Sequence, residues 1–182
     1  MAVQWTSCDI PGVLLSDPFR SADARGTFTK IHSGPLGDQH PLAVDEIFWS
    51  QSREGVIRGL HVQAPPRSGR KLVFVTSGEV RDFIVDLRVG SPYFGQLWES
   101  RLSGESGALL IPPGCAHGFE ALSPHVTMVY LQEGAHDPSA DIGVLWKSAG
   151  IIPRTDSPIV SQRDQALPDL KSFASPFSWI AV

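Results

Sequence analysis

The stretch KLVFVTSGEVRDFIVDL, residues 71–87, shows the period-2 alternation of β-strands on both sides of a short turn. Ser77 and Gly78 separate two runs rich in Val, Ile, Leu and Phe, and a two-residue loop with glycine is typical of a tight hairpin. The register predicted for this hairpin pairs Val75 with Val80, Val73 with Asp82, and Lys71 with Ile84.

The two faces of this hairpin differ in polarity. One face is wholly apolar and is predicted to be core: Leu72, Phe74, Phe83, Val85 and Leu87. The other face carries Lys71 and Asp82 as diagonal neighbours among valine and isoleucine side chains. This second face is either exposed to solvent or turned towards a polar barrel interior. The apolar residues around Lys71 and Asp82 favour the interior, where the two side chains would line a cavity.

Further runs of strand length extend this pattern over the chain, between the 17 glycines and 15 prolines. They are EIFWS (46–50), GVIRGLHVQ (55–63), QLWESRLS (96–103), GALLIP (107–112) and VTMVYLQ (126–132). Many short strands with regular turn signals predict an all-β sandwich or barrel with minor helix, in a single domain over residues 1–182. After residue 147 the chain is predicted to be loop-rich, with a helical turn at DLKSF (169–173). The apolar end SPFSWIAV (175–182) is expected to pack against the barrel or a partner subunit.

Composition excludes several classes of protein. The net charge is -4 without a basic run, which argues against nucleic-acid binding. The two cysteines, Cys8 and Cys115, form neither a disulfide framework nor a zinc-ligand pair. The first residues lack the features of a secretory signal, and no apolar run approaches the roughly 20 residues of a membrane helix. A cytoplasmic protein without membrane contact is therefore expected.

His61 lies in VIRGLHVQAP, residues 56–65, where an ionisable ring interrupts an apolar strand. It is either a core histidine bonded to the backbone or part of a pocket. Regular alternation puts His61 with Gly59 and Gln63 on one face and Arg58 on the other. For Arg58 and His61 both to face a ligand the strand must be irregular, and Gly59 is where a bulge would fit.

A second motif is LLIPPGCAHGFEAL, residues 109–122, in which His117 follows a Pro-Pro-Gly turn. The spacing Pro-x-Gly-x-x-His resembles the second signature of cupin barrels. The His-x-His of metal-binding cupins is replaced by His61-Val62-Gln63, which leaves too few ligands for a transition metal. No metal and no cofactor are therefore predicted, and a metal-dependent cupin such as an isomerase or dioxygenase is disfavoured.

Two further residues have alternative interpretations. Tyr130 alternates with Met128 and Val126 and is either a packed tyrosine or a proton donor. Asp164, in IVSQRDQALPDL (159–170), is either a turn or helix cap or a carboxylate that orients His61.

Five stretches, taken in order, resemble the dTDP-4-dehydrorhamnose 3,5-epimerase family of nucleotide-sugar epimerases. They are GVIRGLHVQ, residues 70–95, LLIPPGCAHGF, VYLQ and VSQRD. DARGTF (23–28) fits as well, so the resemblance covers about residues 11 to 170. It implies a dimeric, metal-free, cupin-type jelly-roll barrel that epimerises a nucleotide-linked 4-keto-6-deoxyhexose at C3, C5 or both through an enolate.

By this resemblance His61 is the base, paired with Asp164, and Tyr130 is the acid across the sugar ring. The residues expected to contact the substrate are Arg25, Arg58, Gln63, Lys71, Asp82 and His117. Gln63 is included because alternation puts it on the face of His61.

The sequence also departs from the family pattern. Thr29 and Lys30 replace an aromatic residue and a glutamate that hold thymine, and Glu46 and Phe48 stand where the family tends to have Gln and Asn. Two more departures are His136 for a second tyrosine and Ile152-Pro153 for Trp-Pro. These departures predict an epimerase whose nucleotide is not restricted to dTDP, with CDP or GDP as alternatives. The rival hypothesis is a sugar-binding cupin without catalysis.

Overall fold

The computed structural model describes residues 3–33 and 42–180, which form fourteen β-strands and three short helical elements. The strands are β1 (Gln4–Ser7), β2 (Leu14–Asp17), β3 (Phe19–Asp23), β4 (Gly26–Lys30), β5 (Glu46–Ser52), β6 (Val56–Gln63), β7 (Lys71–Ser77), β8 (Glu79–Asp86), β9 (Leu97–Ser103), β10 (Leu109–Ile111), β11 (Cys115–Ala121), β12 (Val126–Gln132), β13 (Asp141–Gly143) and β14 (Ile159–Val160). The helical elements are 3-10 helices at Trp146–Ala149 and Leu170–Ser172 and the one-turn α-helix α1 (Gln162–Gln165).

The strands build two larger sheets and one separate hairpin. The first sheet has the order β1-β2-β10-β7-β12-β5, and the second has the order β13-β6-β11-β8-β9 with β14 parallel to β6. Among the described strands, β3 and β4 pair only with each other. Two facing, mostly antiparallel sheets with minor helix confirm the predicted all-β, cupin-type jelly-roll barrel.

The hairpin predicted for residues 71–87 is wrong. Strand β7 pairs with β10 and β12, whereas β8 pairs with β11 and β9, so the chain crosses from one sheet to the other at Gly78. Gly78 has a φ of 77°, and a Cβ there would lie 2.4 Å from the carbonyl oxygen of His125. A sheet-to-sheet corner and a hairpin turn both need a short glycine-containing loop, and the local pattern does not distinguish them.

The predicted interior face is nevertheless right. The core between the two sheets contains Val73, Val75, Val80 and Ile84. Because β7 and β8 belong to opposed sheets, Lys71 and Asp82 approach the interior from opposite walls. They are therefore not diagonal neighbours of one ladder, as the hairpin register required.

Parts of the outer faces of the sheets are covered by other segments of the chain. Leu72 packs with Leu110 outside the first sheet, and Phe83 packs with Trp146 and Phe177 outside the second. The prediction that the apolar C-terminal stretch packs against the barrel holds for Phe177, which is buried, but not for Ile180, which is 79% exposed. Residues 181 and 182 lie outside the described residues. The helical turn predicted at DLKSF is the second 3-10 helix.

Strand β5 forms an edge of the first sheet and leaves apolar side chains uncovered. Ile47 and Trp49 are 65% and 67% exposed. Across residues 3–33 and 42–180, no helix has both the length and the apolar character needed to span a membrane.

Candidate active site

A cavity of about 1180 Å³ opens between the two sheets. Its volume lies somewhat above the range of about 300 to 1,000 Å³ that is usual for small-molecule sites, so it suits a large ligand. Seven of the nine sequence-predicted site residues line it: Arg58, His61, Gln63, Lys71, His117, Tyr130 and Asp164.

His61 and Asp164 form a hydrogen-bonded pair at one wall of the cavity. The Nε2 atom of His61 lies 2.8 Å from Asp164 Oδ1, and the Gly59 amide donates to Oδ2 at 3.0 Å. Ser161 caps helix α1 by accepting from the Asp164 amide, which holds the aspartate in place. Burial favours the neutral acid, but hydrogen bonds from His61 and Gly59 outweigh it and hold the pKa of Asp164 below its usual value. Asp164 is therefore a charged carboxylate that is hydrogen-bonded to His61 and is not itself the cap, and its role of orienting a base stays a prediction.

Strand β6 is irregular at Gly59, the position where a bulge would fit, and Arg58 and His61 both line the cavity. Strand β11 pairs His117 with His61 and Phe119 with Arg58, so β6 carries one extra residue between those pairs. Gly59 has a φ of 110°, and a Cβ there would lie 2.7 Å from both Gly118 Cα and the His117 carbonyl oxygen. This close backbone approach explains why glycine stands at the irregularity.

Tyr130 enters the cavity from the first sheet, opposite His61. It is 9% exposed and packs with Met128 and Val126, the face that alternation predicted. Burial raises the pKa of the Tyr130 phenol to about 12, although its hydrogen bond with Ser50 acts in the other direction. The phenol therefore keeps its proton at neutral pH, which is the state that a proton donor needs.

Lys71 and Asp82 have different positions relative to the cavity. Lys71 lines it, and burial lowers the pKa of its ammonium group while Asp141 opposes that shift. Asp82 is fully buried behind His117, with its Oδ2 atom 2.9 Å from His117 Nε2. Burial raises the pKa of Asp82, and His117 opposes the increase. Asp82 thus supports His117 and does not line the cavity.

Arg58 and Gln63, two further residues predicted to contact the substrate, form hydrogen bonds within the protein. Arg58 donates to Ser52 Oγ at 3.0 Å and to the Gln51 carbonyl at 3.1 Å, which fixes its guanidinium at the cavity wall. Gln63 accepts from the Asp137 amide at 3.0 Å.

Arg25 lies outside this cavity. It stands at the turn of the β3–β4 hairpin, 90% exposed, and pairs with Asp23. Thr29 and Lys30 lie on the same hairpin, also outside the cavity lining.

Although Phe48 was named as a departure from the family pattern, sequence reasoning gave no place in the site to two residues that shape the cavity. Phe48 lines it and stacks on Tyr130, and Arg163 lines it while pairing with Asp141 at 2.7 Å. Arg163 directly precedes Asp164, so its position was available from the motif. The contact of Phe48 with Tyr130 depends on strand pairing, which the sequence does not reveal. Within the described residues, no group of three or more His, Cys, Asp or Glu side chains is arranged to hold a metal ion.

The fold and cavity define a cupin-type barrel that carries a histidine–aspartate pair on one wall and a protonated tyrosine on the other. The chain belongs to the dTDP-4-dehydrorhamnose 3,5-epimerase family, whose model matches residues 7–172.

Individual relatives agree over most of the chain. It is 36% identical over 167 residues to a dTDP-4-dehydrorhamnose 3,5-epimerase of Pseudomonas aeruginosa, covering 88% of this chain and 92% of the relative. It is 38% identical over 163 residues to a dTDP-4-dehydrorhamnose 3-epimerase of Streptomyces niveus, covering 86% and 78%. Among solved structures, NovW, a 4-keto-6-deoxy sugar epimerase of Streptomyces spheroides, superposes with a TM-score of 0.88 at 33% identity, covering 94% of this chain and 89% of that one.

Proposed function

We propose that this protein epimerises a 4-keto-6-deoxyhexose carried on a nucleoside diphosphate, at C3, at C5 or at both. The observation that carries the proposal is the arrangement of His61 with Asp164 and of Tyr130 on opposite walls of one cavity. Epimerisation needs a base on one side of the sugar ring and an acid on the other. The named activities of the relatives support the same reaction.

Proton removal falls to His61. Because its Nε2–H donates to Asp164, the lone pair lies on Nδ1. The C4 ketone acidifies the neighbouring C–H bond. The C–H electron pair becomes the enolate, and the proton moves to Nδ1. The resulting imidazolium is stabilised by the Asp164 carboxylate 2.8 Å away.

The enolate oxygen requires a cation or a fixed donor, and Lys71 is the candidate. Burial disfavours the positive charge on the Lys71 ammonium group. The negative charge that develops on the enolate oxygen stabilises this ammonium group and is stabilised by it in return. A preorganised donor of this kind contributes roughly 3 to 4 kcal/mol to the transition state.

Proton return falls to Tyr130. The enolate carbon takes the phenolic proton from the face opposite His61, and the C–H bond re-forms with inverted configuration. The phenolate is then reprotonated from solvent, and the His61 imidazolium releases its proton to solvent, which restores both groups. Acid or base groups in such positions each contribute on the order of 10² to 10⁴ in rate.

The nucleotide is a separate part of the proposal. The relatives are named for dTDP sugars, which makes dTDP the first nucleotide to test. Thr29, Lys30, Glu46 and Phe48 depart from the family pattern and motivate CDP and GDP sugars as competitors. A nucleotide-sugar substrate also agrees with a cytoplasmic location, which stays a prediction that cell fractionation would test.

We also propose a homodimer in which Arg25 serves the partner's cavity. Arg25 lies outside its own chain's cavity, and both its hairpin and edge strand β5 present exposed apolar residues: Phe28, Ile47 and Trp49. Mixing inactive Arg25→Ala and His61→Ala chains tests this, because a mixed dimer would contain one intact site. Activity that is recovered on mixing supports a site shared between the subunits. If no activity is recovered, Arg25 does not serve the partner's cavity.

Deuterium exchange tests the reaction itself. The protein is incubated in D₂O with dTDP-, CDP- and GDP-linked 4-keto-6-deoxyglucose, and deuterium at C3 and C5 is followed by NMR. Exchange that persists with a chelator present, disappears in His61→Ala and survives in His125→Ala is the expected result. His125 is an exposed histidine outside the cavity lining and serves as the matched control. Binding without exchange for every nucleotide sugar would instead favour the rival hypothesis of a non-catalytic sugar-binding cupin.

A further inference from the structure

Phe48 lies directly beside Tyr130 in the first sheet. Strands β5 and β12 pair Phe48 with Tyr130 and Ser50 with Met128. Directly opposed residues project from the same face of a sheet, so Phe48, Tyr130 and Ser50 all point into the cavity. The proposed proton donor thus has a neighbour on the same wall that the proposed chemistry does not yet use.

The two rings are stacked. Their centroids are 4.8 Å apart and their planes differ by 11°. Aromatic pairs at this separation favour an offset-stacked arrangement, so Phe48 restricts the plane of the Tyr130 ring. The His117 ring packs edge-on against Tyr130 at 6.2 Å and 71°, which limits the ring from a second direction.

Ser50 restricts the other end of the side chain. Its Oγ lies 3.4 Å from the Tyr130 hydroxyl oxygen, at the long limit of a hydrogen bond. This weak bond locates the hydroxyl without holding its proton strongly. The stack therefore sets the ring plane, and Ser50 sets where the tip of the ring lies.

We propose that Phe48 is a positioning residue that aligns the Tyr130 phenol for proton return. This inference rests on the proposed epimerase reaction and deepens it. It also gives a physical role to a position where the family pattern favours asparagine, because a small amide cannot form a ring stack. Phe48 is 38% exposed and lines the cavity beside Tyr130.

The consequence is specific to one half of the reaction. Proton removal by His61 occurs at the opposite wall and does not depend on Phe48. Proton return by Tyr130 does, since a misplacement of about 1 Å can cost roughly 10²-fold in rate. Loss of the ring should therefore reduce inversion much more than it reduces exchange with retention.

Phe48→Leu tests this with apolar character preserved. The assay measures inverted product and deuterium exchange with retention for the same substrate in D₂O. We expect the ratio of inversion to retention exchange to fall about tenfold or more, with kcat for inversion reduced and KM little changed. Phe48→Tyr keeps the ring and should restore the ratio to within about threefold of wild type. Phe94→Leu, at a 43% exposed phenylalanine outside the cavity, is the matched control.

A second measurement does not need activity. The chain has two tyrosines, so ring-labelled tyrosine gives two sets of NMR signals, and Tyr93→Phe assigns them. The Tyr130 signal should carry a ring-current shift that Phe48→Leu removes and Phe94→Leu leaves intact. An unchanged Tyr93 signal shows that the variant is folded.

The outcomes separate the two proposals. A reduced inversion ratio together with a lost ring-current shift supports the positioning role. An unchanged ratio, an equal loss of inversion and exchange, or an effect on KM alone overturns it while leaving the epimerase intact. Wild-type protein without exchange on any substrate would overturn the epimerase and the positioning role together. If Phe48→Leu does not fold, Phe48→Met, which also removes the ring and keeps an apolar side chain, decides the question, with the same expected fall in the ratio and refutation by an unchanged ratio.

Discussion

Replacing Asp164 by asparagine should disable the base while leaving the shape of the site intact. The aspartate accepts from His61 Nε2 at 2.8 Å through one oxygen and from the Gly59 amide at 3.0 Å through the other. An asparagine has only one oxygen, so it can satisfy one of these donors and not both.

Both orientations of the amide are unfavourable. If its oxygen faces Gly59, its NH₂ group points at His61 Nε2, and the ring must carry its proton on Nδ1. The lone pair then faces away from the cavity, and His61 cannot take a substrate proton. If the oxygen faces His61, the NH₂ group opposes the Gly59 N–H, and a buried donor is left unsatisfied at a cost of about 1 to 3 kcal/mol.

The expected loss in exchange rate is on the order of 10² to 10⁴, the range for removing a well-placed base or inverting its tautomer. The assay is the initial rate of deuterium exchange at C3 and C5 in D₂O, with thermal unfolding measured in parallel. Asp169→Asn is the matched control, because Asp169 is an exposed aspartate in the same segment and its side chain forms no capping bond. An Asp164→Asn protein that exchanges within about threefold of wild type would refute the assigned role of the pair.

Three further predictions follow from the remaining site residues. Tyr130→Phe should retain exchange on the His61 side but lose net inversion by on the order of 10²-fold or more, and equal retention of both in the NMR assay would contradict an acid role. Lys71 carries its charge below its folded pKa, which burial holds under the ordinary 10.5, so wild-type kcat/KM should fall as alkaline pH removes that charge. Lys71→Arg should be roughly tenfold slower yet keep its activity over that pH range, whereas a wild-type profile that stays flat to pH 10.5 would contradict this. His117→Ala leaves the buried Asp82 unpaired, with Oδ1 already lacking a partner among the described residues, and should lower the free energy of unfolding by about 3 to 5 kcal/mol near neutral pH. Because burial raises the folded pKa of Asp82, that deficit should shrink as pH falls and the acid protonates, and urea unfolding that shows the same deficit at pH 5 and pH 8 would contradict it.

Much of the fold could be predicted because strand formation is a local property. Alternating apolar residues and glycine-containing turns marked strands β5 to β10 and β12, and the interior face of β7 and β8 was predicted correctly. Pairing between strands is not local. The turn at Gly78 predicted a hairpin, and the structure instead uses it as a corner between two sheets.

The candidate site divides in the same way. His61, Tyr130 and Asp164 could be named from motifs, because each lies in a short segment with a recognisable pattern. The structure was needed to place Asp82 behind His117, to put Arg25 outside the cavity, and to find Phe48 stacked on Tyr130. Each of these depends on which strands lie next to each other.

By itself, then, the sequence determined an all-β chain, a buried polar face and the residue types available for proton transfer. These features follow from alternation, turn residues and side-chain acidity, which are local properties of the sequence. For Gly59 the sequence yielded only a conditional prediction. Arg58 and His61 can face the same ligand if the strand is irregular between them. Tertiary structure decided that condition, because the extra residue is accommodated only where the backbone of β6 meets Gly118 of the neighbouring strand. Distances between groups that are remote in sequence, such as His61 and Asp164, exist only after the sheets have packed, and the proposed chemistry depends on those distances.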